Sequence, residues 1–497
     1  MLVSCAQMQA AEEAAFARGV SAADLMDQAG MGIARAISQL ILPKGALVLY
    51  LGKGNNAGDA LVAARILSGE GWKVFARLAC PVEQMKPLPR AHFEALSEAV
   101  TVVGDARGLD FEPGLPLVAL DGLLGIGAIG PLRGTMADMA AEMNELRRTC
   151  HSKTVAMDIP SGLNGDTGEP CEGAVIADLT VTVAQVKTGL VADAASRHVG
   201  RLAVVSLRER DECSGDASVE LITPRLLRPI LPLRPLDAHK GTAGRVVIVA
   251  GSRGFLGAAV LACQGAGLVT LVVRDADYAL MAPMCPPEVM VKPVGDLIDV
   301  LEMKLDALAL GPGIGFDARD AVLRLLLEAR VPTVVDADAL TILAEMGVEM
   351  LEDAAGARLL TPHPGEMSRL TRGRDDLQKL DRRAQVEALA DRFPGHTFLL
   401  KGNRTVIATQ GQSTWFNSTG HPGMASGGMG DVLTGASVAW LGQGLLPHEA
   451  AGLAAWSGGR AAELNTGGCV SAEESVIASD VTTDLGRALG ELKRGAF

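Results

Sequence analysis

At 497 residues the chain exceeds what one hydrophobic core usually supports, so length alone predicts two domains. Apolar residues make up 48% but aromatics only 3%, which leaves Ala, Val and Leu to build the cores. The 45 Lys and Arg against 58 Asp and Glu give a net charge of −13, which argues against a nucleic-acid partner or an anionic membrane surface and leaves anionic ligands to local backbone donors and a few basic side chains.

Eight cysteines form no CxxC pair and no metal-ligand spacing, a pattern expected of reduced thiols in a cytoplasmic protein. No basic segment followed by an apolar core opens the sequence, so no signal peptide is expected. The most apolar run, residues 257–273, contains Gln264 and several glycines and reads as a buried βα unit rather than a membrane span.

Strand-like runs at 46–51, 73–78, 117–120, 154–157, 179–183 and 202–205 alternate with helix-like stretches. After the first strand comes Leu51-Gly-Lys-Gly-Asn-Asn-Ala-Gly-Asp-Ala60, with a helix predicted at 61–67. Read as Gly52-x-Gly54-x-x-Ala57 it could pass for a dinucleotide fingerprint. The second strand, however, ends Phe75-Ala-Arg-Leu-Ala79, with no acidic residue for a ribose hydroxyl. No Gly-Lys-Ser/Thr occurs, which excludes a P-loop. The oxygens of Asn55, Asn56 and Asp59 make better sense turned into a site. Two later strand ends add Asp121, and Asp158 with Ser161, and oxygen ligands of this kind suit a hard cation. Each Asp taken singly is equally well read as a cap or turn residue.

The charge-dense, aperiodic stretch 208–224 is the expected hinge, dividing 1–215 from 220–497. Strand-like runs resume at 246–250, 268–273, 307–310, 333–335, 358–360 and 397–400. Such alternation implies parallel sheets covered on both faces, with ligands at the carboxyl ends of the strands. The densest segment is Gly420-His-Pro-Gly-Met-Ala-Ser-Gly-Gly-Met-Gly-Asp431, followed at once by the helical pattern Val432, Leu433, Ala436, Val438, Ala439. Glycines let backbone amides converge where a Cβ would block approach, and a helix N-terminus adds partial positive charge. Gly-rich turns before helices are common by themselves, but such a turn does not explain a carboxylate where an anion should bind. Asp431 points to proton transfer beside a phosphate.

The Gly428-Met-Gly-Asp431 core resembles the signature of ribokinase-like phosphoryl-transfer enzymes. A longer match, through Asn417, Pro422-Gly-Met-Ala425 and Asp431-Val-Leu-Thr-Gly435, resembles one branch of them, the NAD(P)H-hydrate dehydratases. Further similar segments are His239-Lys-Gly241, Gly251-Ser-x-Gly254-x-x-Gly257-Ala258, Pro287-Glu-Val-Met290, Gly311-Pro-Gly-Ile-Gly315, Asp336-Ala-Asp-Ala-Leu340, Leu360-Thr-Pro-His-Pro-Gly-Glu366 and Leu400-Lys-Gly-Asn403. The likeness spans roughly residues 225–490, although the helix expected between Ala258 and Gly267 looks several residues short. The first half, roughly residues 1–210, resembles the NAD(P)H-hydrate epimerase domain. That family usually reads Asn-Asn-Gly-Gly-Asp-Gly where positions 57 and 60 are here Ala. If position 57 needs a positive φ, Ala costs about 1 kcal/mol and displaces the loop.

The resemblance implies a Rossmann-like three-layer parallel sheet in the first domain and a ribokinase-like α/β fold in the second. It implies a metabolite-repair enzyme acting on NAD(P)H hydrate: epimerisation at C6 in the first half, dehydration with ADP converted to AMP and phosphate in the second. Potassium would be held by Asn56, Asp121 and Ser161. The hydrate would be met in the first half by Asn55, Asn56, Ala57, Gly58 and Asp59, by Gly125, Ile126, Gly127, Ala128, Ile129, Gly130 and Pro131, and by the catalytic Asp158. Lys187, in Gln185-Val-Lys-Thr-Gly-Leu190, also resembles a family segment, with a solvated lysine as the plain alternative. In the second half Ala258, Gly313 and His363 would line the substrate, with Asp431 as catalytic base. Lys401, Gly402, Asn403, Arg404, Thr405 and Gly430 would cradle the nucleotide, with magnesium expected on general phosphoryl-transfer grounds. A homo-oligomer is expected, with no nucleic-acid or membrane partner. The competing reading is a ribokinase-like small-molecule kinase with a non-catalytic N-terminal binding domain.

Overall fold

Alternate residues of the strand Ala46–Leu51 enter different apolar clusters: Leu47, Leu49 and Leu51 on one face, Val48 and Tyr50 on the other. A strand covered on both faces has no polar side to show, which is why it reads as an uninterrupted apolar run. In the computed structural model, which describes all residues except 129, 209–214, 235, 238–243, 265–268, 468–471 and 496, this strand lies inside an all-parallel sheet. The sheet order is Val100–Val102, Lys73–Leu78, Ala46–Leu51, Leu117–Gly122, Lys153–Met157, Leu179–Val183, Arg201–Val205. The chain winds outward from Ala46–Leu51 in one direction and then restarts at Leu117–Gly122 in the other. The crevice at the carboxyl ends of these two strands is therefore the topological switch point.

The chain divides into two compact units, Met1–Leu221 with Phe497, and Ile222–Ala496. In the second unit the described strands follow the order Thr414–Asn417, Thr405–Thr409, Thr397–Leu400, Arg358–Leu360, Thr333–Val335, Ala307–Leu310, Val246–Val249, Val269–Arg274, Met290–Val294. All neighbours are parallel except Thr405–Thr409, which runs antiparallel to both of its partners. The switch point here lies between Val246–Val249 and Ala307–Leu310.

Three local expectations change. The segment 55–59 is no loop: the helix runs Asn55–Gly69, with Gly54 extended at its N-cap. Ala57 lies inside that helix, fully buried and without a positive φ, so the left-handed strain expected of it does not arise. The helix of the glycine-rich segment likewise begins earlier, at Met429–Gly442, with Gly428 left-handed at φ 88°. A Cβ at Gly428 would lie 2.5 Å from Leu261 Cδ1, a flexible side-chain end, so it is the left-handed φ that favours glycine there. The helix after Gly254 is described over Leu256–Gln264, and the residues beyond it that bear on its expected shortness, 265–268, lie outside the described residues. His239, Lys240, Gly241, Gly267 and Leu268 lie outside the described residues, as does much of the expected hinge. Among the described residues no helix is long and apolar enough to cross a membrane.

Candidate active sites

In the first unit Asp158 follows the strand Lys153–Met157 with φ 64°, a left-handed conformation that Asp tolerates better than most residues and that is concentrated at functional sites. Its Oδ1 accepts from Thr182 Oγ1 at 3.0 Å, from the Val183 amide at 3.2 Å and from Lys187 Nζ. Lys187 is buried, and its Nζ also donates to the Val183 carbonyl at 2.9 Å. It is therefore no solvated lysine but half of a buried ion pair.

Two more carboxyls feel Asp158. Asp59, in the first turns of Asn55–Gly69, is pushed well above the usual range by burial and then by the charges of Asp158 and Glu12. Glu12 is raised by burial and by Asp158. It was not legible as a site residue. The parallel pairing of Leu2–Val3 with Val186–Lys187, and the capping box Ser4/Gln7 that starts the helix Cys5–Ala17, bring it here. From the same helix Gln9 reaches the 125–131 loop, its Nε2 3.7 Å from where a Cβ on Gly127 would stand. Ile129 of that loop lies outside the described residues, and Gly130 and Pro131 are exposed.

Asn56, Asp121 and Ser161 converge. Ser161 Oγ donates to Asp121 Oδ1 at 2.7 Å, and its amide donates to Oδ2 at 2.8 Å. Ser161 Oγ accepts from the Leu124 amide at 3.2 Å, while Asn56 Nδ2 donates to the Leu124 carbonyl at 2.8 Å and to that of Met157 at 3.4 Å. Asp121 lies within the strand rather than beyond it, fully buried. Burial pushes its carboxyl up to about 6, against the hydrogen bonds from Ser161 and Leu123. The buried carboxylate of Asp121 beside the Ser161 hydroxyl, with no Lys or Arg paired to it among the described residues, suits a hard cation.

In the second unit Asp431 occupies the first turn of Met429–Gly442. Burial raises its carboxyl to about 6, with Asp336 and Asp338 adding to the shift and Lys401 opposing it. Lys401 does not pair with Asp431: its Nζ donates to Asp336 Oδ1 at 2.7 Å and lies 3.7 Å from Glu366 Oε2. Burial alone would lower Lys401, and the charges of Asp336, Glu366 and Asp431 override it and raise it. A Cβ on Gly430 would stand 3.2 Å from that Nζ, so the glycine, the lysine and the Asp431 turn share one small space.

The remaining expected residues fall around this centre. Gly313, at φ 60°, would place a Cβ 3.2 Å from that of Ala258, and its carbonyl accepts from Ser252 Oγ at 2.8 Å. The Gly315 amide donates to Asp338 Oδ2 at 2.9 Å, linking this loop to the Asp431 centre. His363 is the N-cap of Pro364–Leu370: its Nδ1 accepts the amides of Gly365 and Glu366, and Glu366 Oε2 accepts the His363 amide at 2.8 Å. With Nδ1 accepting, Nε2 is the nitrogen that carries the ring proton; it lies 3.6 Å from Glu366 Oε1 on a side chain about half exposed. Gly402, Asn403 and Arg404 make the turn between two antiparallel strands, the second of which Thr405 begins, and Arg382 donates to the carbonyls of Asn403 and Arg404. Asn417 is buried and shapes the turn at Thr419 rather than facing the site. Asp336, Asp338 and Glu366 stood in recognised segments without a role, and Thr434 had none.

Residues 22–189 match the family described as YjeF-related protein N-terminus, and residues 246–481 the family described as NAD(P)H-hydrate dehydratase. Fold and sites thus define an α/β enzyme with an isomerase half and a lyase half. The chain is 36% identical to the bifunctional NAD(P)H-hydrate repair enzyme of Moorella thermoacetica, over 88% of this chain and 87% of that protein. It is 36% identical to that of Gloeobacter violaceus, over 97% and 96%. The chain belongs to the bifunctional NAD(P)H-hydrate repair enzyme family, with an epimerase domain followed by a dehydratase domain. Among solved structures it is similar to an ADP/ATP-dependent NAD(P)H-hydrate dehydratase from Bacillus subtilis co-crystallized with ATP and Mg2+, at 32% identity, covering 55% of this chain and 99% of that one with a TM-score of 0.49.

Proposed function

We propose that the second unit uses ADP as phosphoryl donor and Asp431 as general base. The base takes the proton of the C6 hydroxyl, the freed oxygen attacks the β-phosphoryl group of ADP, and AMP leaves. Hydroxide is a poor leaving group and phosphate a good one, so the C6–O bond then breaks with loss of the C5 proton and the 5,6 double bond returns. The amides of Gly428, Met429 and Gly430 would face the charge on the transferred group. Lys401, Gly402, Asn403, Arg404, Thr405 and Gly430 would cradle the nucleotide, and Ala258, Gly313 and His363 would line the hydrate.

The observation that carries this reading is the state of Asp431: a carboxyl raised to about 6, beside a lysine that is paired elsewhere. A base with that affinity for protons is matched to neutral pH. Among the described residues no group of three or more His, Cys, Asp and Glu is arranged to hold a metal. Magnesium would arrive with the nucleotide, whose phosphates would supply ligands along with water.

In the first unit Asp158, oriented by Lys187, would take the proton of the C6 hydroxyl as the C6–N1 bond opens with its electron pair going to N1. It would return that proton when N1 recloses on the other face of the C6 carbonyl; the segments 55–59 and 125–131 would hold the dinucleotide. Asn56, Asp121 and Ser161 would hold potassium, which supplies a fixed positive charge at the switch point. The test is product analysis of the purified chain with NADH hydrate. Restoration of the reduced-nicotinamide absorbance should require ADP and release AMP and phosphate in equal amounts. Activity with ATP and none with ADP would overturn the nucleotide assignment.

A further inference from the structure

Asp336 stands at the N-cap of Ala337–Met346, where an Asp ordinarily accepts a first-turn amide with its side chain. It makes no such bond, and the next residue, Ala337, is left-handed at φ 50°, a conformation an alanine avoids. The carboxylate is buried and turned to other elements instead. Oδ1 takes Lys401 Nζ at 2.7 Å, and Oδ2 takes Thr434 Oγ1 at 2.8 Å. Thr434 lies one turn beyond Asp431 on the same helix and is itself fully buried. A Cβ on Gly430 would stand 3.5 Å from Asp336 Oδ2, so the helix start closes directly over this carboxylate. One side chain thus holds the lysine of the nucleotide turn and the helix that presents the base.

We propose that Asp336 is the positioning residue of the dehydratase site, a clamp that ties Lys401 to the helix carrying Asp431. It keeps the cation beside the phosphate position and away from the base, so that the base is not neutralised by the lysine meant for the nucleotide. The proposal rests on the reading of Asp431 as general base. Among the described residues the charged groups that face Asp431 are Asp336 and Asp338, at the N-cap and in the first turn of Ala337–Met346, and Lys401 from the turn after Thr397–Leu400. Glu366 of Pro364–Leu370 acts on Lys401. The other neighbours of the turn at Gly428, Leu261 and Ala478, are apolar.

The test is the pH profile of dehydration in the full-length chain, with ADP and NADH hydrate. The parent should lose rate as pH falls through about 6, because Asp431 is then protonated. Asp336→Asn removes a negative neighbour, so its acid limb should move to lower pH. Its plateau should fall roughly tenfold to hundredfold, the scale of one charge-assisted hydrogen bond. Lys401→Met removes a positive neighbour, and its limb should move the opposite way. Thr434→Val loosens the clamp without changing charge, so it should lower the plateau with the limb in place. Titration of the nucleotide itself is common to all variants and cancels. Should Asp336→Asn fail to fold, the last two variants carry the test. A limb that stays in place in Asp336→Asn, or that moves the same way in Lys401→Met, would overturn the clamp while leaving Asp431 as base. An unchanged profile in Asp431→Asn would remove the base and the clamp's purpose with it.

Discussion

The two units place acidic side chains at the switch points of two sheets and then treat the key carboxylate in opposite ways. Asp158 is bonded to a buried lysine, a threonine hydroxyl and an amide. Asp431 is kept away from the nearby lysine, which is bonded to Asp336. The difference separates orientation from proton affinity. An ion-paired carboxylate is held in place, while an unpaired buried one has a raised proton affinity and can act as a base near neutral pH. Stability follows the same division. Removing one partner of a buried pair leaves the other stranded, at a cost of about 3–5 kcal/mol. A carboxyl raised to about 6 adds stability at low pH that is lost as pH rises through 6, so at neutral pH its ionised form weighs against folding.

The largest effect that could break this contrast comes from Asp158→Asn. Epimer interconversion should fall by about 10²–10⁴, the usual scale for an acid–base group. Calorimetry should show the first unit melting earlier because Lys187 is left buried without its anion, while dehydration of the correct epimer is unchanged. Equal melting of variant and parent would mean the ion pair does not hold that unit.

A moderate effect is expected from potassium. If Asn56, Asp121 and Ser161 bind it, potassium at a hundredfold above its dissociation constant should stabilise the first unit by about 2.7 kcal/mol relative to choline chloride. Asp121→Ala should abolish the difference. Identical melting of the parent in the two salts would remove the cation from the account.

The smallest expected effect is at position 57. Because Ala57 is helical and buried, Ala57→Gly should destabilise the first unit by about 1 kcal/mol and leave epimerisation as it was. A severalfold gain in epimerisation would show that the first turn of this helix needs the glycine after all.

Most strands of both sheets were legible because burial on two faces leaves an unbroken apolar run, but Val100–Val102, Met290–Val294, Thr405–Thr409 and Thr414–Asn417 were not read. Helix starts were harder. Glycine and asparagine suit both loops and first turns, so Asn55 and Met429 gave no sign that the helix had already begun. Glu12 carries no motif, and the pairing of Leu2–Val3 with Val186–Lys187 and the capping box that starts its helix bring it to the site. Asp336 stood in a segment of the resemblance without a role, since a capping Asp and a clamping Asp are identical until the side chain's partners are known. His363 was read only as a ligand contact, and its capping of Pro364–Leu370 appears only once the helix start is seen.

The central claim is that one chain carries two separable chemistries, the second dependent on a base with no ion-pair partner among the described residues. It is tested most directly by Asp431→Asn, assayed for both activities on both hydrate epimers. Asparagine keeps the size and much of the hydrogen bonding but cannot accept the hydroxyl proton. Dehydration should fall by about 10²–10⁴. ADP binding should be kept or slightly tightened, since a negative charge beside the phosphates is gone, and epimer interconversion should match the parent. A variant that dehydrates within severalfold of the parent would contradict the assignment of Asp431, and one that loses both activities would contradict their separation.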